Sequence, residues 1–219
     1  EELARDNAEV RSLTHAAMEG RITLEDVYAR RLELVRPSRA DVARIGARYV
    51  ETLLPHAPAL VAALHALAKR VVIVSGGLLP AVLVVARALR IPEELVHAVD
   101  LRFDASGAYA GFEQESPLAR AGGKITVLAA LRRTDERLAF VGDGATDLEA
   151  APRADRFVAF AGVERREDVL RGARVRCLEP DFRALVPLLV SPEERARLSA
   201  TGAHESLLHL PRLPQPPTA

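Results

Sequence analysis

The chain has 219 residues, enough for one sizeable domain or for a core domain with a small insert. Thirty basic and thirty acidic residues cancel, so no bulk charge favours nucleic acid or an anionic membrane as a partner. The apolar fraction is 49%, no apolar run is long enough to span a bilayer, and the single cysteine, Cys177, excludes an internal disulfide. These features predict a cytoplasmic globular protein.

Apolar residues recur at helical spacing from about Leu3 to Tyr49, which predicts a small helical domain over residues 1–53. Helices and strands then alternate, and this pattern predicts a doubly wound α/β core over residues 54–200 with a small β-hairpin around 101–112. The proline-rich segment 201–219 is expected to be an unpacked tail. The predicted core elements are the helices Ala59–Lys69, Leu79–Arg90 and Ile125–Arg133, the strands Val71–Val74, Leu138–Val141 and Arg156–Phe160, and the hairpin arms Val96–Phe103 and Ala108–Phe112. The β-branched run Val71–Val74 is typical of a parallel strand buried on both faces.

The most informative motif is Gly142-Asp143-Gly144-Ala145-Thr146-Asp147, between a predicted strand and a predicted helix. In an open α/β sheet, ligands bind at the carboxyl ends of the strands. Carboxylates at that edge suit Mg²⁺, which takes one or two protein carboxylates plus phosphate and water oxygens. Dinucleotide fingerprints, P-loops and EF-hands need residues that are absent here. The structural alternative is that Asp143 favours the turn and Asp147 favours the positive end of the helix.

Three other positions have chemistry that suits phosphate. Ser75-Gly76-Gly77 follows a predicted strand and precedes a helix, so it offers either a phosphate cradle or a plain N-cap serine. Lys124 follows two glycines at a helix start, where a cation is unfavourable unless an anion is nearby. Thr146 offers either an N-cap or a hydroxyl directed at substrate.

The order of these elements resembles the haloacid dehalogenase (HAD)-like phosphohydrolases, and among them the phosphoserine phosphatases. The resemblance implies a Rossmann-like doubly wound parallel sheet as the core, with a small helical cap domain near the N-terminus. It covers most of the chain. The matching segments are Ala17–Gly20, Arg31–Arg39, Ile73–Gly77, Tyr109–Phe112, Gly122–Lys124 and Gly142–Asp147.

The resemblance implies roles for the residues around the phosphate. Ser75 and Gly76 would hold phosphoryl oxygens, and Lys124 would neutralise the phosphate and an aspartyl-phosphate intermediate. Asp143 would ligate Mg²⁺. Asp147 would support the site or orient Lys124 rather than act as a second ligand.

The resemblance also implies how the rest of the substrate is recognised. Thr146 would contact the substrate near the phosphate. In the helical cap, Arg31 would bind the carboxylate of phosphoserine, and Met18 would pack beside the substrate. Judged on their own, the two cap residues read more simply as a surface arginine and a core methionine. The implied partner is a small phosphomonoester used in serine biosynthesis, and the protein is expected to be a monomer or a homodimer.

One element of the family pattern is missing from the sequence. The family's nucleophile is an aspartate in a D-x-D-x-T motif on the first core strand, and no D-x-D occurs in the 219 residues. The resemblance implies that this strand and its loop, roughly a dozen residues, precede Glu1. Asp6 lies in a helix-like stretch and is not a substitute. Two alternatives stay open: a phosphatase for another small phosphomonoester, and a phosphate-binding protein without turnover.

Overall fold

The computed structural model describes residues 24–208, with side chains described from residue 27 onward. The helices are α1 (Leu24–Val35), α2 (Arg39–Glu51), α3 (Ala57–Ala66), α4 (Leu79–Ala88), α5 (Gly123–Leu131), α6 (Ala145–Ala150), α7 (Glu167–Gly172), α8 (Val186–Leu189), α9 (Pro192–Ala200) and α10 (Glu205–Leu208). The strands are β1 (Ile73–Leu78), β2 (Val96–Val99), β3 (Leu101–Phe103), β4 (Tyr109–Phe112), β5 (Ala139–Gly142), β6 (Arg156–Phe160) and β7 (Val175–Cys177). Short 3-10 turns lie at Glu93–Leu95, Pro117–Ala119, Ala151–Arg153 and Phe182–Leu185. Among residues 24–208, no helix combines the length and the hydropathy needed to cross a membrane.

Helix α2 connects α1 to the core. It begins at a capping box, in which Ser38 Oγ accepts the N–H of Asp41 at 3.2 Å and the Asp41 carboxylate accepts the N–H of Ser38 at 2.9 Å. At Gly46 the helix approaches α4 so closely that a Cβ would lie 2.7 Å from Cγ2 of Val84. A side chain at Gly46 would therefore push α2 away from the helix that follows β1.

The strands form parallel sheets and one hairpin. Strand β1 pairs with β2 in parallel, and β5, β6 and β7 form a second parallel sheet in that order. Strands β3 and β4 form the antiparallel hairpin predicted around 101–112. Parallel strands joined through helices define an α/β protein, so the predicted fold class is confirmed. The register of β5 on β6 runs from Ala139 opposite Arg156 to Gly142 opposite Ala159, so both strands end at the same edge.

Helix α3 contacts the hydrophobic cores of both parallel sheets. Its residues Leu60 and Ala63 pack in the cluster that contains Val158 of β6. Its residue Val61 packs in the cluster that contains Val96 of β2. Helix α3 therefore packs against both sheets, although no strand among the described residues pairs with both β1 and β5.

The burial of β1 differs from the prediction. The run Val71–Val74 was expected to be buried on both faces, but the structure begins the strand at Ile73 and leaves every residue of β1 partly exposed. The reason is that β1 has one paired neighbour, β2, among the described residues. A strand needs neighbours and covering layers on all sides before its residues are fully removed from solvent.

Two boundaries also differ. The predicted arm Val96–Phe103 is divided at Asp100, whose Oδ1 accepts the N–H of Leu101 at 2.8 Å, so β2 joins β1 while β3 joins the hairpin. The segment after residue 200 was expected to be unpacked, but Leu207 and Leu208 of α10 are buried in the core. The apolar pair therefore extends the core beyond the predicted boundary. The remaining division into cap and core stays a prediction.

Candidate active site

The turn after β5 is built around the Asp147 carboxylate. Asp147 Oδ2 accepts the backbone N–H groups of Asp143 at 3.1 Å and Gly144 at 2.9 Å. Its Oδ1 lies 2.6 Å from Nζ of Lys124, at the start of α5. A Cβ at Gly142 would lie 2.3 Å from Cγ of Asp147, so the turn requires a glycine at that position.

The Asp147 carboxylate is largely buried. Asp147 is 5% exposed, and it is the only charged residue buried among residues 27–208. A buried carboxylate is tolerated when it is paired and hydrogen-bonded, and Asp147 has a cation and two N–H donors. The anion that makes a cation favourable at the start of α5 is therefore Asp147, and its oxygens are already occupied.

Asp143 is arranged differently from Asp147. Its side chain is 49% exposed. Its carboxylate Oδ2 contacts Nη1 of Arg166, and the same Nη1 donates to the Asp143 backbone carbonyl at 3.2 Å. The two acids of the motif thus have separate environments, one sealed under the turn and one open at the carboxyl end of β5.

The oxygen donors near the turn are few. Among the described residues, no group of three or more His, Cys, Asp or Glu side chains converges on one point. Mg²⁺ does not need such a group, because it commonly uses one or two carboxylates and takes its remaining oxygens from phosphate and water. Asp143 offers a hard oxygen donor in a solvent-accessible place. The site therefore fits a magnesium ion held by Asp143 together with oxygens from outside the described residues.

The Ser75-Gly76-Gly77 segment lies inside β1 rather than after it. Val74 pairs with His97 and Leu78 pairs with Val99, so the intervening residues bulge out of the ladder. Ser75 Oγ accepts the N–H of Gly77 at 3.0 Å. Helix α4 has Leu78 as its N-cap, so the interpretation of Ser75 as a plain N-cap is wrong.

The 3-10 turn Pro117–Ala119 connects this bulge to Lys124. A Cβ at Gly76 would lie 3.4 Å from the Leu118 carbonyl oxygen. On the other side, a Cβ at Gly123 would lie 1.8 Å from the Pro117 carbonyl oxygen, a distance that only a glycine allows. The turn therefore lies against the backbone of both segments. It brings the β1 bulge and the start of α5 to one place.

Helix α1, which carries Arg31, packs against the same turn. The Tyr28 ring of α1 lies 5.6 Å from the Phe112 ring, centroid to centroid. Burial raises the pKa of Tyr28 well above its usual range, the Tyr109 phenol raises it further, and the Arg31 guanidinium lowers it. Arg31 is thus close enough to act electrostatically on this aromatic group. Met18 lies outside the described residues.

Two further residues complete the description of the turn. Thr146 is partly exposed in the first turn of α6, and Gly144 is the N-cap, so the N-cap interpretation of Thr146 is wrong. Arg166 was not predicted as a site residue. It belongs to the charged run Glu164–Glu167, which resembles a solvated loop. The signal that could have found Arg166 is its position just beyond the carboxyl end of β6, the strand paired with β5.

Comparison with known proteins identifies the family. A family model described as a haloacid dehalogenase-like hydrolase matches residues 2–155. The chain belongs to this hydrolase family. Phosphoserine phosphatase from Rattus norvegicus is 38% identical over 169 residues, which cover 76% of this chain and 75% of the rat protein. The resemblance seen in the motifs is therefore confirmed across most of the chain.

Solved structures show the same fold. A phosphoserine phosphohydrolase-like protein from Francisella tularensis superposes with a TM-score of 0.70 at 23% identity, over 83% of this chain and 84% of that protein. A substrate-bound phosphoserine phosphatase superposes with a TM-score of 0.68 at 22% identity, over 86% of this chain and 90% of that chain. These structures support the HAD-like α/β core that the motif order predicted.

Proposed function

We propose that the protein is a Mg²⁺-dependent phosphomonoester hydrolase that releases L-serine and phosphate from phosphoserine. The observation that carries this proposal is the turn after β5. Its buried Asp147 is paired with Lys124, and its exposed Asp143 stands at the edge of the sheet where ligands bind. The similarity to phosphoserine phosphatases along three quarters of the chain supports the choice of substrate.

The residues on the phosphate side are assigned by their positions. Asp143 would hold the magnesium ion, which supplies positive charge against the phosphoryl oxygens. Lys124 adds an ammonium at the start of α5, fixed in place by Asp147. The glycine-containing bulge at Ser75 and Gly76 offers a hydroxyl and backbone N–H groups to phosphoryl oxygens.

Residues of the helical cap are proposed to bind the serine part of the substrate. Arg31 is proposed to bind the substrate carboxylate, a task that suits the paired N–H groups of a guanidinium. Thr146 is proposed to contact the substrate near the phosphate, and Met18 to pack beside it. Helix α1 packs on the turn Pro117–Ala119, which also lies against Gly76. Arg31 therefore lies on a helix that contacts the same turn as the bulge in β1.

The proposed reaction is covalent catalysis by an aspartate. Its carboxylate oxygen forms a bond to phosphorus while the bond from phosphorus to the serine oxygen breaks, and the serine oxygen takes up a proton from water as it leaves. Water then attacks phosphorus, which restores the carboxylate and releases phosphate. The sequence contains no D-x-D, so none of the described acids is assigned as the nucleophile.

The test measures phosphate release from phosphoserine, phosphothreonine and phosphocholine, with and without Mg²⁺, using the protein as its gene encodes it. Asp143→Asn is expected to lower kcat/KM at least roughly a hundredfold, since a metal contributes several kcal/mol of charge stabilisation in the transition state. Activity that is independent of both Mg²⁺ and Asp143 would refute the metal assignment. Release from none of the three substrates would favour the alternative of a phosphate-binding protein without turnover.

A second comparison tests the choice of substrate. Arg31→Ala is expected to raise the KM for phosphoserine roughly ten- to hundredfold, since a hydrogen bond to a charged group contributes about 1.5–3 kcal/mol. Its KM for an aryl phosphate without a carboxylate should change little. Arg30→Ala, an exposed arginine one position earlier on α1, is the matched control. Equal losses on both substrates would count against Arg31 as the carboxylate-binding residue.

A further inference from the structure

The pairing of Arg166 with Asp143 is not explained by the roles proposed so far. Arg166 lies between β6 and α7, and it is the residue immediately before the first turn of α7. Its Nη1 contacts the Asp143 carboxylate and also donates to the Asp143 backbone carbonyl. A single guanidinium nitrogen is thus directed at the acid that the proposed function assigns to the metal.

We infer that Arg166 is an internal counter-cation of Asp143 that competes with the divalent metal for this carboxylate. The inference rests on the proposed metal assignment of Asp143. Asp143 Oδ2 is engaged by the guanidinium, and two cations that share one carboxylate repel each other. The two interactions are thermodynamically linked. Metal binding to Asp143 therefore costs part of the free energy that the ion pair between Arg166 and Asp143 contributes.

The neighbouring acid cannot relieve this competition. Asp147 Oδ1 is bonded to the Lys124 ammonium, and Asp147 Oδ2 accepts two backbone N–H groups, so neither oxygen is free for a displaced guanidinium. Asp147 is also buried, whereas Arg166 has 46% of its side chain exposed. A displaced Arg166 therefore moves toward solvent, which a half-exposed side chain on a loop can do at small cost.

The chain offers a matched control for this inference. Arg165 is the adjacent residue, of the same type and exposed on the same loop, and the ion pair of Asp143 is made by Arg166 rather than by Arg165. Removing either arginine changes the net charge of the loop by the same amount. A difference in metal affinity between the two variants therefore reports the contact with Asp143 and not the net charge of the loop.

The experiment measures the dissociation constant of Mn²⁺ without substrate, by electron paramagnetic resonance of the free ion. Mn²⁺ serves as the probe because, like Mg²⁺, it prefers octahedral oxygen ligands. The parent protein, as its gene encodes it, is compared with R166Q, R165Q, R166K and D143N. R166Q is expected to bind Mn²⁺ roughly two- to fivefold more tightly, the range set by a half-exposed ion pair. R165Q should change the constant less, R166K should stay near the parent, and D143N should lose the site.

The outcomes separate this inference from the proposed function. Equal constants for R166Q and R165Q, or weaker binding by R166Q, would overturn the competition and leave the metal assignment intact. Binding that persists unchanged in D143N would overturn the metal assignment itself, whatever Arg166 does. Urea unfolding of each variant confirms that the comparison is made on folded proteins.

Discussion

The buried Lys124–Asp147 pair makes a quantitative prediction about stability. The side chains are 17% and 7% exposed, and their charged atoms are 2.6 Å apart. Replacing Asp147 with Asn keeps the volume but places an amide where Lys124 needs an anion. Removal of one partner from a buried pair costs about 3–5 kcal/mol, because the remaining charge loses its compensation. Since Lys124 keeps some access to water, we expect D147N to cost about 3 kcal/mol, near the lower limit.

A double-mutant cycle isolates the interaction from the other hydrogen bonds of Asp147. The variants are D147N, K124M and the double variant, and the coupling free energy is expected to be about 1–3 kcal/mol, the range for residues in direct contact. The matched control is the surface pair of Arg171 with Asp168, whose side chains are 72% and 88% exposed. A cycle on that pair should give less than about 0.5 kcal/mol, because exposed pairs three residues apart on a helix contribute little.

The assay is urea unfolding followed by circular dichroism, with the midpoint and the m-value fitted for each protein. An unchanged m-value shows that the variants differ in stability and not in the surface exposed on unfolding. The reasoning is wrong if D147N costs less than about 1 kcal/mol, or if the coupling at Lys124–Asp147 is no larger than at the surface control. Either result would mean that the pair is open to water in solution.

Two further predictions concern the start of α5 and the packing of α9. Gly123→Ala puts a Cβ within 1.8 Å of the Pro117 carbonyl oxygen, so it should destabilise the fold by more than the ~1 kcal/mol typical of a substitution and should shift the amide resonance of Lys124 in NMR spectra. The Lys69 ammonium, 2.7 Å from Glu194, holds the pKa of that carboxyl below its usual range. Because the folded pKa is the lower one, this stabilisation is present above the unfolded pKa of about 4.3 and is lost as pH falls through the folded value. E194Q should therefore lower the urea midpoint at pH 7, and its difference from the parent should shrink on acidification toward pH 3.

The turn after β5 was predictable from sequence because its chemistry is local. Gly142, Asp143 and Asp147 lie within six residues, and a strand followed by a helix places them at one edge of the sheet. The need of Lys124 for a nearby anion is also predictable from the sequence, because a cation is unfavourable at the start of a helix. The sequence does not identify that anion as Asp147, because Asp147 lies 23 residues further along the chain and meets Lys124 only in the folded protein.

Other features depend on contacts that no local pattern reveals. The β1 bulge at Ser75 is set by how β1 registers against β2, and the sequence shows only that glycines would permit it. Arg166 lies in a charged run and resembles its neighbours in sequence. What distinguishes it is that its loop begins at the end of β6, the strand paired with β5. The exposure of β1 was mispredicted because hydrophobic composition indicates which strands can be buried, while pairing decides whether they are.

The different roles of the two acids follow from the geometry of the turn. Because Gly142 has no side chain, Asp147 can fold back beneath the turn, where its Oδ2 collects the N–H groups of Asp143 and Gly144. Asp147 is then satisfied only if a cation reaches Oδ1, which the start of α5 supplies with Lys124. The Asp143 backbone is held by the same contacts, so its side chain extends outward. A motif of two carboxylates thereby yields one acid that is buried and paired with Lys124 and one that is half-exposed at the edge of the sheet and paired with Arg166.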